Sequence, residues 1–317
     1  MTYFSISNVS KSYDGHPALL PFSLELTQGE FLAIVGESGS GKSTLLKIMA
    51  GLEVQDSGEV FLEGNAILNP NQKIVSGYDE IKLIHQNFHL YPNSTVEENL
   101  SRPLLHYERD YAKNRVEQLL QLLNLTEFRD RFPHQLSGGQ KQKVAIGKAL
   151  SVEPEVVLLD EPFSSLDSIQ TQQLILEMKS TFLKMGTTVV FVTHDLDDAL
   201  RLTDNLIILQ KGKVVQNGTS RQLCEKPKTK YVARLFSSIN KLPDIKNSYI
   251  RPSDLKIRTK GGLLAHVTDS RFLVHYNSLQ VLLKESGLTW EVDDPQRKYE
   301  IGDRVYLSWD SDKVMKL

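Results

Sequence analysis

The chain has 317 residues, 40% of them hydrophobic, enough for one large or two medium domains with buried cores and unlike a disordered segment. Its 37 basic and 39 acidic residues leave a formal charge of -2, so no overall electrostatic drive brings it to an anionic membrane or to nucleic acid, and no nucleic-acid partner is expected. No apolar run approaches the ~18 residues of a bilayer span, residues 1–15 lack a signal-peptide core, and the single cysteine, Cys224, excludes an intrachain disulfide and a cysteine metal cluster.

Residues 31–35 (FLAIV) are the first of four short, unbroken apolar runs, followed by 156–159 (VVLL), 188–192 (TVVFV) and 206–209 (LIIL). Runs rich in Val and Ile that do not alternate suit strands buried on both faces of a parallel sheet. Directly after FLAIV comes Gly36-Glu37-Ser38-Gly39-Ser40-Gly41-Lys42-Ser43, which fits G-x-x-x-x-G-K-[ST] and leads into the helical TLLKIMAG from Thr44. Glycines there let backbone N–H groups converge on phosphate oxygens, and the helix N-terminus adds its positive end. Residues Gly36, Ser38 to Gly41 and Thr44 are the expected ATP cradle; Lys42 should reach the β- and γ-phosphates and Ser43 should ligate Mg²⁺.

Thr95 and Glu98 have the spacing of a capping box, and Val116, Leu119, Leu120 and Leu123 share one helical face. In 136–150, LSGGQKQKVAIGKAL, Ser137 suits an N-cap, Gly138 and Gly139 permit close backbone approach, and Val144, Ala145, Ala149 and Leu150 give the helix a buried face. This second anion-binding turn is redundant for a single nucleotide. In 156–162, VVLLDEP, two acids follow a buried strand, where ligands of such sheets collect. Asp160 is expected to hold Mg²⁺ through water, and Glu161 to orient and deprotonate the attacking water.

The pattern changes after about residue 240. Residues 240–254 contain two prolines and read as a linker, and beyond them LLAHV, RFLVHY, LQVLL and DRVYLSW are β-prone segments separated by Gly261-Gly262, Asp293-Asp294 and Gly302-Asp303. Residues 241–317 are therefore expected to form a small all-β domain, a partial barrel that is marginal alone and packs on a partner.

Together these motifs resemble the ATP-binding subunit of an ATP-binding cassette (ABC) transporter, and the resemblance runs through residues 1–236. In that family LSGGQ is the signature: two subunits pair head to tail, and each signature closes on the nucleotide held by the other. The resemblance thus implies a homodimer with two composite sites, to which Ser137, Gly138, Gly139 and Gln140 contribute. It further implies that Tyr13 (KSYDG) stacks on adenine and that Gln86 (IHQNF) touches Mg²⁺ and the γ-phosphate and senses the membrane subunit. Ser164-Ser165-Leu166-Asp167 would cross the dimer interface, Asp167 reaching the ATP, and His194 (VTHD) would contact the γ-phosphate.

Some residues depart from the family pattern. Lys143 and Lys148 stand where many relatives have arginine, His85 stands where Phe is common, and SSLDSIQTQQL lacks the basic residue that often follows the interface aspartate. Tyr249–Asp254 is similar to the R-P-E/D element that opens the oligonucleotide-binding-like (TOBE) domain of importers for ions, oxyanions, polyamines and sugars.

The implied architecture is an α/β P-loop ATPase domain at 1–240, with a helical subdomain at about 88–150, and an OB-like domain at 241–317. The implied protein is cytoplasmic and peripheral on the inner face of the membrane. With ATP and Mg²⁺ it would power import through integral-membrane permease subunits served by a periplasmic or surface solute-binding protein. An exporter subunit is disfavoured by 249–317, and a soluble cassette ATPase acting on nucleic acid or ribosomes by the single cassette and the lack of net positive charge. The C-terminal domain could be a ligand sensor or an added dimer contact, and the solute is open.

Overall fold

Strand β1 (Phe4–Tyr13) and strand β2 (His16–Leu26) pair as an antiparallel hairpin. Asp14 and Gly15, at φ 49° and 79°, make its two-residue turn, since this tight connection needs positive φ at both positions. The chain continues through β3 (Phe31–Val35), α1 (Lys42–Met49), β4 (Ser57–Leu62), β5 (Asn65–Ala66) and β6 (Ile81–Ile84). Helices α2 (Val96–Ser101), α3 (Arg109–Leu122) and α4 (Gly138–Leu150) form the helical insertion. It returns as β7 (Val156–Asp160), α5 (Ser168–Met185), β8 (Thr188–Thr193), α6 (Leu196–Leu202), β9 (Asn205–Gln210) and β10 (Lys213–Thr219). This computed structural model describes residues 2–164, 166–243 and 245–317.

All four apolar runs lie in one sheet of order β10-β9-β3-β8-β7-β6, parallel except for β10. Its register places the site. Val35 pairs with Thr193 and with Ile208, and Asp160 pairs with Val192, so β3, β7, β8 and β9 end along one edge. Helix α1 buries Leu45, Leu46, Ile48 and Met49 in a core shared with Leu32, Ile34, Leu158 and Val190 of that sheet and Phe4, Ile6, Phe22 and Val60 of the antiparallel sheet. The first turn of α1 is thus fixed from two sides.

The capping box at Thr95 and Glu98 forms, with both reciprocal hydrogen bonds, and Val116, Leu119, Leu120 and Leu123 are buried. Ser137 caps α4 in a second box with Gln140. Ala149, expected on the buried face of α4, is only half-buried, whereas Gln142 and Ile146 are fully buried. The helix is covered by α2 and α3 on one side and by β6 on another, so its buried arc differs from a single stripe.

The chain packs as two compact units divided between Ser220 and Arg221, about twenty residues before the change of pattern in the sequence. The division falls after the first residue of α7 (Ser220–Glu225), and the rest of that helix and α8 (Lys230–Phe236) open the second unit. Residues 240–254, expected as a linker, carry β11 (Asn240–Lys241) and β12 (Ser248–Ile250) instead. The reason is Arg251, whose buried guanidinium donates to the Cys224 and Ala233 carbonyls and to Ser237 Oγ, fastening both helices to the strands that follow.

Next come β13 (Lys256–Arg258), β14 (Leu263–Leu273), β15 (Tyr276–Leu283), β16 (Thr289–Asp294), β17 (Arg304–Ser308) and β18 (Met315–Lys316). They make an antiparallel sheet β13-β17-β14-β15-β16 and a small sheet β11-β12-β18 around Ile250, Leu279, Trp290, Val292 and Leu307. RFLVHY, expected as a strand, spans a hairpin turn at Val274 and His275, and LLAHV and RFL are one bulged strand. Asp293 and Asp294, expected as a turn, finish β16; Asp294 is buried, and its side chain accepts from Lys298 N and Tyr299 N.

Candidate functional site

The phosphate loop is clamped to the sheet edge by backbone. Gly36 N donates to Thr193 O at 3.2 Å, and Gly212 N to Ser40 O at 3.0 Å. Two glycines are required by contact: a Cβ on Gly36 would lie 2.2 Å from Leu209 O, and Gly41, at φ 99°, would place one 2.3 Å from Ala18 O. Gly41 is the N-cap of α1, so the loop hands directly into that helix. Lys42 is 4% exposed, and its ammonium donates to Gly36 O at 2.8 Å and Glu37 O at 3.0 Å. Ser43 Oγ donates to Asp160 Oδ1 at 2.8 Å. Burial pushes the Asp160 carboxyl above its ordinary range, the donated bond from Ser43 opposing it.

Glu161 N donates to Val192 O at 3.0 Å, which holds the residue just past β7 at φ 44°. Left-handed backbone is costly for a glutamate, of order 1–2 kcal/mol, and persists where surroundings fix it. The bend sets the carboxylate between two partners. Lys42 Nζ lies 3.5 Å from Oε1, and the imidazole of His194 donates from Nδ1 to Oε2 at 3.1 Å. Gln86, exposed after β6, donates to Ser164 Oγ at 2.8 Å, and Ser164 Oγ donates to Glu161 O at 3.1 Å. Gln86, Glu161, His194, Lys42, Ser43 and Asp160 therefore form one connected constellation.

Asp167 caps α5, accepting from Ile169 N at 3.0 Å and Gln170 N at 2.9 Å. Ser165, beside it in the motif, lies outside the described residues. Gln140 Oε1 accepts from Ser137 N, and Ser137 Oγ from Gln140 N. The neighbour of Gly139 is Gln170 at the start of α5, so the signature turn stands next to the Asp167 cap.

Tyr13 is 42% exposed, its hydroxyl bonded to Thr44 and its pKa raised by burial. Sequence reasoning missed Lys11, whose ammonium sits 5.0 Å from the Tyr13 ring centre and pairs with Glu53 at 3.2 Å. Strand periodicity was the available signal, because residues 11 and 13 share a face.

Behind Glu161 and His194 lies a cavity of about 330 Å³, lined also by Ser164, Thr171, Asp195 and Asp198. Burial, reinforced by Asp195, raises the Asp198 pKa to about 6. The folded state therefore resists ionisation. Stability from this group is complete below its ordinary value of 3.8 and is lost as pH rises toward about 6. Asp198→Asn should raise Tm relative to the parent at about pH 8, and the gain should vanish near pH 4. A gain of equal size at both values would show that ionisation is not its source.

A phosphate loop opening a helix, a histidine just past the neighbouring strand and an acid pair ending the strand beyond it define a P-loop nucleoside triphosphatase. The pattern of the ABC transporter family matches residues 19–164. Over 98% of each chain the protein is 33% identical to the spermidine/putrescine import ATP-binding protein PotA of Bacillus cereus. It is 41% identical to the PotA protein of Thermotoga maritima, over 74% of this chain and 64% of that one. Among solved structures it is similar to the ATP-binding cassette MJ0796, a dimer in a post-hydrolysis state bound to ADP and Pi. There the identity is 33%, the TM-score 0.60, and the cover 68% of this chain and 98% of that one. It is also similar to cbiO1 from Clostridium perfringens, part of the ABC transporter complex cbiONQ, at 27% identity and TM-score 0.65 over 70% and 91% of the chains. The chain belongs to the import-type ATP-binding subunits of ABC transporters and is an ATPase.

Proposed function

We propose that this ATPase works as a head-to-tail homodimer on the inner face of a membrane and drives permease subunits served by a solute-binding protein. The observation that carries the catalytic assignment is the Glu161 carboxylate, held between Lys42 and His194 beside the phosphate loop. Glu161 is the general base toward water, His194 fixes its orientation, and Lys42 moves from the loop carbonyls onto the phosphates of the substrate. Ser40 Oγ, buried and without a hydrogen-bond partner among the described residues, supports a loop completed by ligand.

Ser43, Asp160 and Gln86 suit a hard cation through oxygen. Among the described residues no cluster of three or more His, Cys, Asp or Glu could hold a metal alone, which fits an ion arriving with nucleotide phosphates. Bound there, Mg²⁺ would neutralise charge on the transferring phosphoryl group.

The exposed Tyr13 ring is the adenine platform. Ser137 to Gln140 and Asp167 serve the nucleotide of the opposite subunit, and ATP closes the dimer because the closed form binds it better. The groove beside the Gln86 loop, about 260 Å³ and lined by Leu83, Phe88, Pro103, Ala145 and Ala149, is the docking face for the permease. Among the described residues no helix is long and apolar enough to cross a membrane, so this reading needs membrane partners. The antiparallel C-terminal unit fits the OB-like domain of importers.

Co-purification with integral-membrane proteins tests the assignment, followed by ATP-dependent uptake in the reconstituted complex. Spermidine and putrescine, named for the full-length relatives, are the first solutes to assay. Recovery with ribosomes and without membrane proteins would contradict it.

A further inference from the structure

Helix α4 carries the signature turn at one end and Lys148 two residues from the other. The Lys148 ammonium donates to His89 O at 2.7 Å and lies 4.1 Å from the centre of the Tyr91 ring. The Arg102 guanidinium is 4.3 Å from the same ring. Two cations on one aromatic ring are mutually repulsive, so the site holds them by the ring and the carbonyl together. Burial lowers the Lys148 pKa, Arg102 adding to it, as expected of an ammonium withdrawn from water.

What Lys148 holds is strained. Phe88 and His89 are consecutive left-handed residues, at φ 60° and 45°, and His89 N turns back onto Asn87 O at 2.6 Å. Such backbone persists only where surrounding groups fix it. On the far side of the turn, Asn99 accepts from Tyr91 N at 2.8 Å and donates to Tyr91 O at 3.2 Å. The near side begins at Gln86, which reaches Ser164 and through it the backbone of Glu161. Lys148 is thus the contact by which α4 grips the turn between Gln86 and Tyr91.

We propose that Lys148 is a positioning residue that ties the strained turn after Gln86 to the signature helix, so that displacing the turn displaces Ser137 to Gln140 as one body. An α-helix transmits such a push because its backbone hydrogen bonds fix its length at ~1.5 Å per residue. Lysine suits this task as well as arginine would: the compact ammonium serves one carbonyl and one ring, and no planar fork is required. The inference rests on the roles proposed above for Gln86 and Ser137.

The test uses the full chain with Lys148→Met, Lys148→Arg, Tyr91→Leu and Tyr91→Phe, read by amide hydrogen exchange and by ATPase kinetics. Lys148→Met and Tyr91→Leu should speed exchange in residues 86–92 about tenfold and lower kcat about tenfold at nearly constant KM, a size typical of coupling between sites. Exchange in residues 36–44 should stay as in the parent, and Lys148→Arg and Tyr91→Phe should behave as the parent on every readout. Unchanged exchange at 86–92 or unchanged kcat in Lys148→Met overturns the proposal. So does a loss of protection spread evenly over the chain, which would make Lys148 mere packing. If Gln86→Ala leaves hydrolysis intact, the role of Gln86 fails separately, while exchange at 86–92 still decides the clamp.

Discussion

Glu161→Gln should bind ATP and stop turning it over, with kcat reduced by about 10²- to 10³-fold. The amide keeps the size of the side chain and a contact with His194, but it cannot take a proton from water. It also removes the negative partner 3.5 Å from Lys42, which favours the lysine on substrate phosphates. ATP should therefore accumulate a dimer that does not decay, visible as a shift in size-exclusion elution that the parent shows only transiently. Hydrolysis near the parental rate would mean that another group activates the water.

Lys42→Met should fail one step earlier. The ammonium is nearly fully buried and bonded to two loop carbonyls, so the stem fits methionine, and the loss is one of charge. ATP affinity should fall at least about 100-fold, as expected for losing a charge-assisted contact to phosphate together with the partner of Glu161. Thermal unfolding gives a clean readout, because a ligand at free concentration L stabilises the folded state by RT ln(1 + L/Kd). The parent should gain several degrees with millimolar ATP and Lys42→Met almost none. A similar gain in both would contradict the role of Lys42.

The phosphate-loop half of the candidate site was legible as a pattern because the chemistry proposed for it needs particular residue types at fixed spacing. GESGSGKS must follow a strand and open a helix, and it does so between β3 and α1. VVLLDEP ends a strand whose register with β8 sets Glu161 beside His194. Sequence singled out these residues one by one; it could not show the left-handed turn at Glu161, since no side-chain preference announces it.

Longer-range organisation was less legible. Arg251 stands in a short motif, but its three bonds to Cys224, Ala233 and Ser237 are tertiary, and they turn an apparent linker into part of a folded unit. RFLVHY looks like a strand by composition, yet Val274 sits at φ 38° in the turn of a hairpin. Neighbouring strands β14 and β15 override local propensity there. Lys148 read only as a substitution for arginine; its contact with Tyr91 joins residues 57 apart in sequence and depends on how α4 lies against the turn after Gln86.

The central claim is that the signature of one subunit completes the ATP site of the other, and mixing two inactive variants tests it most directly. Lys42→Met disables the phosphate loop of its own chain, and Ser137→Arg disables the signature. In a head-to-tail heterodimer both defects fall in one site and the other site is wholly parental. An equimolar mixture should therefore recover about a quarter of parental ATPase activity, since half the dimers are mixed and each carries one working site. If the signature served its own chain, both sites of the heterodimer would be broken, and a mixture no more active than its two components would contradict the account.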